Sequence, residues 1–358
     1  MLHYEGRTLY YIANAATTKA AVHTWREKLM TLNRISTIAF GVVVGACLAL
    51  PAGAQQRVSV YTAHTANIVE RLIPEFEKTS GIKVDVVKAG SGDIINRVRA
   101  ESANPKADLI WSIGAELLEA NSDLLEPYQP KEYAMIADAF KSGGAWLPYT
   151  GILNVFVVNT KKLKPDEYPK TWADLAHPRF KNQVSMADAE KSGSAYMQLN
   201  TFLAIYGDKA AGWDKFKGVF NNVSISASSG AVPRFVSDGE AAVGITLEDN
   251  AYLYLKGGGP VVIIYPEDGT SAIADGMALV KRGPNPAAGK VFIDWALSAP
   301  VQEMVVQELG RRPIRKDAKP LAALKPIEQI KLVKYDIQNA ANKRQEYIDK
   351  WRALMLAR

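Results

Sequence analysis

Thiols are almost missing from this chain: one cysteine, Cys47, occurs in 358 residues, and it sits in an apolar stretch near the N-terminus. Beyond that stretch there can be no disulfide framework, cysteine nucleophile or thiolate metal site. Histidine is scarce too. Of the four in the chain, only His64 and His177 follow residue 54. That is too few for a histidine-rich zinc or copper site, and a Ser-His-Asp hydrolase would have to depend on one of the two. There is no P-loop, no GxGxxG after a strand and no G-x-S-x-G elbow, so the main nucleotide-binding and serine-hydrolase signatures are missing. A basic tract is missing as well. The formal net charge is +6, but Lys and Arg are scattered among acids and not interleaved with aromatics, so nucleic acid is not an expected partner.

The one long apolar run, 35–50, is shorter than the about 20 residues a membrane-spanning helix needs. It reads instead as part of a bacterial secretory signal over 30–54. Arg34 supplies the positive region, and Ala52-Gly53-Ala54 is a small-residue cleavage site before Gln55. An N-terminal anchor, or a lipoprotein built on Cys47, is the alternative. Residues 1–29 lie upstream of a better start at Met30. The expected protein is exported to the periplasm and begins at residue 55. The five basic and two acidic residues before that point would leave with the signal, which lowers the net charge from +6 to +3.

From there, short apolar strands alternate with amphipathic helices, the pattern of an α/β protein with a mostly parallel sheet. Residues 57–61 alternate as a strand. Ile68, Val69, Leu72, Ile73 and Phe76 then share a helical face that ends at Gly81. Residues 107–113 form an apolar strand, and 152–158 read as a strand buried on both faces. A helix is predicted over 285–297 and an amphipathic helical tail over 325–356.

Several strands run into turns of small residues that open helices. Backbone N–H groups at such helix starts are unpaired and carry the positive end of the helix dipole, so they favour anions. Three candidates arise: 62–65 with Thr62 and His64, 91–93 with Ser91 and Gly92, and 191–195 with Ser192, Gly193 and Ser194. The third is the best of them, with two hydroxyls, a glycine and an apolar helix behind; the alternative for each is ordinary N-capping, which most helices show. A further candidate is the adjacent pair Glu248 and Asp249 at the end of the strand 242–247. These carboxylates could accept hydrogen bonds from hydroxyls or an amine, or could simply be helix N-terminal acids. The cluster Arg311-Arg312-Pro313-Ile314-Arg315 reads as a solvated turn or an interlobe salt-bridge site.

Taken in order, several segments resemble the periplasmic solute-binding proteins of ABC importers, in the branch with ferric-ion, thiamine, sugar-phosphate and 2-aminoethylphosphonate binders. They are VSVYTAHTANIVERLIPEFEKTSGIKVDVV (58–87), NPKADLIWS (104–112), PKTWADLAHPRFKNQV (169–184), SGSAY (192–196), VSDGEAAVGITLED (236–249), YPEDGT (265–270) and FIDWALS (292–298). The resemblance implies a two-lobed type II periplasmic-binding-protein fold, with a ligand cleft between lobes joined by crossing strands. The expected layout is lobe 1 over 55–154, lobe 2 over 155–277, a return to lobe 1 over 278–330 and a C-terminal helix over 331–358. It also implies a monomer that captures a small molecule by hinge closure and hands it to a membrane permease, with no catalysis and no cofactor or resident metal. Ferric members carry a tyrosine pair just after the strand matching Ala242-Val243-Gly244. Here that place falls at Asp249-Asn250, while Tyr252 and Tyr254 lie further on. The pattern looks more like the organophosphate branch, with the serine-rich helix starts on the phosphate or phosphonate and the acidic pair on hydroxyls or an amine. A ferric, thiamine or polyamine binder is the alternative. A secreted hydrolase using His64, Glu248 and Asp249 is a distant one.

Overall fold

The computed structural model describes residues 55–142 and 144–357, so the proposed signal and the segment before it lie outside the described residues. β1 (Arg57–Thr62) gives way to α1 (Ala66–Ser80) once apolar spacing changes from alternate residues to a helical face of Ile68, Leu72, Ile73 and Phe76. Gly81 ends α1 at φ 72°, in the left-handed region that a Cβ disfavours. The unit then repeats with β2 (Lys83–Lys88), α2 (Ser91–Ala100), β3 (Leu109–Gly114) and the five-residue α3 (Ala115–Glu119). Strands β2, β1 and β3 pair in parallel, as strand–helix–strand crossovers require.

After the short β4 (Leu125–Glu126) comes β5 (Leu147–Asn159), a 13-residue strand with every residue buried. The next set is β6 (Val184–Ala187), α4 (Gly193–Tyr206), α5 (Ala210–Phe220), β7 (Val223–Ser226), α6 (Val232–Ser237), β8 (Val243–Leu247), α7 (Glu248–Lys256) and β9 (Val261–Ile264). β10 (Ala272–Val280) follows, then α8 (Pro286–Ala296) and α9 (Ala299–Gln307). The strand order is β2-β1-β3-β10-β5-β8-β6-β7, with β4 on β10 and β9 on β5.

Two lobes share this sheet, and β5 passes between them. Its residues 147–153 pair with β10, and from Asn154 onward it pairs with β8 and β9. β10 runs antiparallel to both β5 and β3, so it carries the chain back. Around β1 and β3 the core holds Val60, Phe76, Trp111 and Phe292; around β6 and β8 it holds Phe156, Trp172, Phe202 and Phe216. Each of these buried side chains contributes about 1.5–3 kcal/mol relative to exposure.

The tail departs from the single helix predicted over 325–356. It forms a 3-10 turn at Ile327–Gln329, an irregular stretch, then α10 (Ile337–Asn342) and α11 (Arg344–Leu356). Pro326 disfavours a helical residue before it, and Asp336 starts α10 afresh by accepting a bond from the Asn339 amide at 2.9 Å. Tyr347, Ile348 and Trp351 of α11 are buried in the core around β6 and β8, whereas α10 packs on α3.

Candidate functional site

Where the lobes face each other there is a cavity of about 570 Å³, within the range of small-molecule sites. Six helices begin in its wall. Their N-cap residues, Thr65 (α1), Gly90 (α2), Gly114 (α3), Ser192 (α4), Ala231 (α6) and Leu247 (α7), all line it. Only Ser192 caps its helix with a side chain; the other five N-caps make no side-chain cap bond. Helix starts, five of them without a side-chain cap, and with them the positive ends of helix dipoles, are therefore concentrated on one space. Lys88, Lys191 and Arg234 in the same wall add positive charge.

Two of the contacts between the lobes in this wall depend on glycine. The Gly92 amide donates to the Lys191 carbonyl at 3.2 Å. A Cβ on Gly90 would lie 2.6 Å from that oxygen, and one on Gly92 would lie 2.5 Å from the Glu190 carbonyl. At the second contact, a Cβ on Gly230 would lie 2.6 Å from Thr65 Cγ2.

Of the residues expected from the sequence, His64, Ser91, Ser192, Gly193 and Ser194 line the cavity. Thr62, Gly92, Glu248 and Asp249 do not. Thr62 is fully buried, and its hydroxyl accepts the His64 amide at 3.1 Å, so it shapes the turn below the wall. The Ser192 hydroxyl is taken by the Ala195 amide at 3.3 Å, and Ser194 accepts from the Ser229 hydroxyl at 3.3 Å. Ser192→Ala is therefore expected to act on the fold, costing about 0.5–2 kcal/mol of stability in a urea titration of the ligand-free protein.

The acidic pair is the clear correction. Glu248 accepts two bonds from Arg312 at 2.7 Å and one from the Tyr265 hydroxyl at 2.6 Å. Asp249 lies buried 2.9 Å from Arg311 Nε, a close charge contact without hydrogen-bond alignment. Both carboxylates are spent on the arginines that the sequence suggested for a solvated turn, and neither is free for a ligand's hydroxyls or amine. The other suggestion for that cluster, a salt-bridge site, describes them better.

Arg311 is itself a wall residue that sequence reasoning missed. It donates to Asp275 at 3.1 Å and approaches His64 Nδ1 at 3.2 Å. A guanidinium only donates, so Nδ1 must accept and the His64 proton sits on Nε2. Burial, and then the Arg311 charge, push the imidazole well below its ordinary value, so it is neutral. Burial likewise raises Asp249 and Asp275, with Arg311 opposing the shift. Ser112, at φ 63°, donates to Asp275 at 2.5 Å from β3.

Other wall residues were also missed. Ser228, Ser229 and Gly230 follow β7 with the same strand, small-residue turn and helix signature as the three chosen sites, so the signal was present. Thr65 and Asn67 open α1, and Thr65 Oγ1 and Asn67 Nδ2 are buried without a hydrogen-bond partner. Glu116 had no distinguishing signal, being one acid in the first turn of a short helix. Tyr254 lines the cavity, while Tyr252 packs against Gly310.

Residues 62–303 match the family model described as bacterial extracellular solute-binding protein. An uncharacterized protein of Haemophilus influenzae is 32% identical over 90% of this chain and 98% of its own length. Iron uptake protein A1 of Synechocystis is 26% identical over 73% of this chain and 77% of its own. A Salmonella typhimurium protein provisionally named as a 2-aminoethylphosphonate-binding periplasmic protein is 30% identical over 68% of this chain and 73% of its own. Among solved structures, the periplasmic binding protein AfuA from Actinobacillus pleuropneumoniae, with exogenous fructose-6-phosphate bound, superimposes with a TM-score of 0.78. It is 26% identical and covers 83% of this chain and 98% of AfuA.

Proposed function

We propose, since the chain belongs to the bacterial extracellular solute-binding family and serves an ABC importer as its non-catalytic solute-binding component, that its solute is a small organic phosphate or phosphonate. One observation carries the reading: six helix N-caps wall the cavity, five of them without side-chain caps. Such a wall presents many N–H donors and a positive field, which suits an anion with several acceptor oxygens. The names of a Salmonella relative and of the ligand on AfuA belong to the same chemical class.

Within the wall, the anion is assigned to the α1 start and the 228–230 turn. Thr65 Oγ1 and Asn67 Nδ2 have no other partner there, and the two segments come from different lobes. The turns at Ser91–Gly92 and Lys191–Ser194 are less open, because their donors are already engaged with each other and with the α4 cap. A ligand bonded to both lobes stabilises the closed form over the open one, and that difference drives hinge closure. Export on the signal at 30–54, a monomeric state and delivery to an inner-membrane permease complete the proposal.

A ferric reading has support from the Synechocystis relative and from Tyr254. Yet among the described residues no three His, Cys, Asp or Glu side chains are placed to share a metal. The test is a thermal-shift screen with sugar phosphates, aminoalkylphosphonates and ferric ion, since a ligand at 100 times its Kd stabilises by about 2.7 kcal/mol. A shift with ferric ion and none with organophosphates would overturn the proposal. For the ligand that shifts, Thr65→Ala and Asn67→Ala should each weaken binding by about 1.5–3 kcal/mol, as for bonds to a charged oxygen. Isothermal titration reads this directly.

A further inference from the structure

Three acidic side chains line the cavity, and they differ in what balances them. Asp93 is exposed to solvent, and Asp275 is bonded to Ser112 and Arg311. Glu116 is fully buried, and neither of its oxygens has a hydrogen-bond partner. A buried, unbonded carboxylate is costly for a fold to keep. Its setting offers only partial relief: the Tyr335 hydroxyl, itself buried without another partner, faces the carboxylate, and so does the backbone amide of Glu116. Glu116 belongs to the first turn of α3, where the dipole favours an anion. Arg344 attracts it but makes no ion-pair contact with it, and donates instead to the Glu190 carbonyl at 3.1 Å. Among the described residues no cation makes an ion pair with Glu116, so a cation entering the cavity would be its first direct counter-charge.

We infer that Glu116 makes this cleft selective for solutes that carry an ammonium group as well as their phosphate or phosphonate, such as aminoalkylphosphonates, over neutral sugar phosphates. The inference rests on the organophosphate reading and narrows it. An anion at Thr65, Asn67 and 228–230 leaves the ammonium for Glu116, which lines the same cavity. Glu116 and Gly193 both flank Gly114, so a phosphate at the α4 start would meet a carboxylate, a second reason to seat the anion elsewhere.

The protonation state supplies an independent handle. Burial pushes the Glu116 carboxyl up to about 7. The groups facing it are Tyr335 before α10, Tyr196 on α4, Asp275 on β10 and Arg344 on α11. Both tyrosines are raised above their ordinary value, chiefly by burial, and Arg344 is lowered by burial from a very high one. Asp275 is raised from the carboxylate range. An ammonium ligand needs Glu116 ionised, so its binding should strengthen as pH rises through 7, with release of a proton.

The probes are 2-aminoethylphosphonate and 2-hydroxyethylphosphonate, which share the anion and differ at the other end, with fructose-6-phosphate as the third. By titration calorimetry at pH 8, the amino compound should bind at least about tenfold tighter than the hydroxy compound, and this ratio should fall about tenfold at pH 6. In Glu116→Gln the ratio should collapse toward one at both pH values. If that variant does not fold, proton release by the wild type decides instead. Measured at pH 7 in two buffers of different ionisation enthalpy, and corrected for each probe's own phosphonate ionisation, release should be greater for the amino compound. A ratio that is independent of pH, equal proton release, or tighter binding of fructose-6-phosphate would overturn the selectivity and leave the organophosphate reading standing. Binding of ferric ion with none of the three probes would overturn both.

Discussion

Glu248→Gln should lower the stability of the folded protein by about 3–5 kcal/mol, the cost of removing one partner from a buried ion pair. The carboxylate is 2% exposed, and Arg312, which would lose its counter-charge, is 11% exposed. That arginine is also tied to β5, because the Gly151 amide donates to its carbonyl at 2.8 Å. It donates as well to the Lys325 carbonyl at 2.8 Å, so the pair anchors the chain after α9 to the lobe-crossing strand. Gln can still accept a bond but supplies no charge. Urea unfolding should show the loss, whereas titration of the folded variant with the preferred organophosphate should give an affinity close to that of the wild type. The reverse pattern, intact stability with weakened ligand, would return Glu248 to the ligand-selecting role that its place at a strand end suggests.

Arg311→Met should cost at least as much, about 3–5 kcal/mol or more, because two carboxylates lose the same cation. Asp249 and Asp275 are both buried, at 3% and 4% exposure, and Met fills the volume without the charge. The pH dependence has a definite sign. Burial already raises both aspartates, and removing the Arg311 charge raises them further. An acid with a folded pKa above its unfolded value binds more protons in the folded state. Its stability is then fully present below the unfolded value of about 3.9 and is lost as pH rises through the folded one. The deficit of the variant should therefore be largest at pH 7 and shrink toward pH 4–5. His64 works in the same direction, since Arg311 helps to hold it neutral and its removal lets acid charge the ring. Urea titrations of both proteins at pH 7 and pH 5 give the comparison. A deficit that does not change with pH would mean that the aspartates find another cation.

These two arginines mark the boundary between what is local and what is not. Strand, turn and helix follow from neighbours in sequence: apolar spacing changes from two to about three and a half residues, a small residue frees the backbone, and glycine or proline stops the element. The chain from β1 to β3 and the helix after residue 285 were legible on that basis, as were the serine and glycine turns. The near absence of cysteine and histidine beyond residue 54 likewise removed whole classes of chemistry without any structure. A strand-end acid such as Glu248 has no local mark that says whether it is free or bonded. Its partner Arg312 lies 64 positions away, and only the return of the chain after β10 brings the two together.

The sequence by itself therefore determined an α/β chain whose helices start on small, polar turns able to receive an anion. Which of those starts face one cavity was decided by β5 changing partners at Asn154, because register between strands is a long-range property. Tertiary structure alone decided the charges. Arg311 and Arg312 are consumed by Asp249, Asp275 and Glu248, while Glu116, no different in sequence from any first-turn acid, is left buried without an ion-pair partner among the described residues. The physical reason is that the energy of a charge depends on its desolvation and on partners distant in the chain, and neither exists until the lobes have folded against each other.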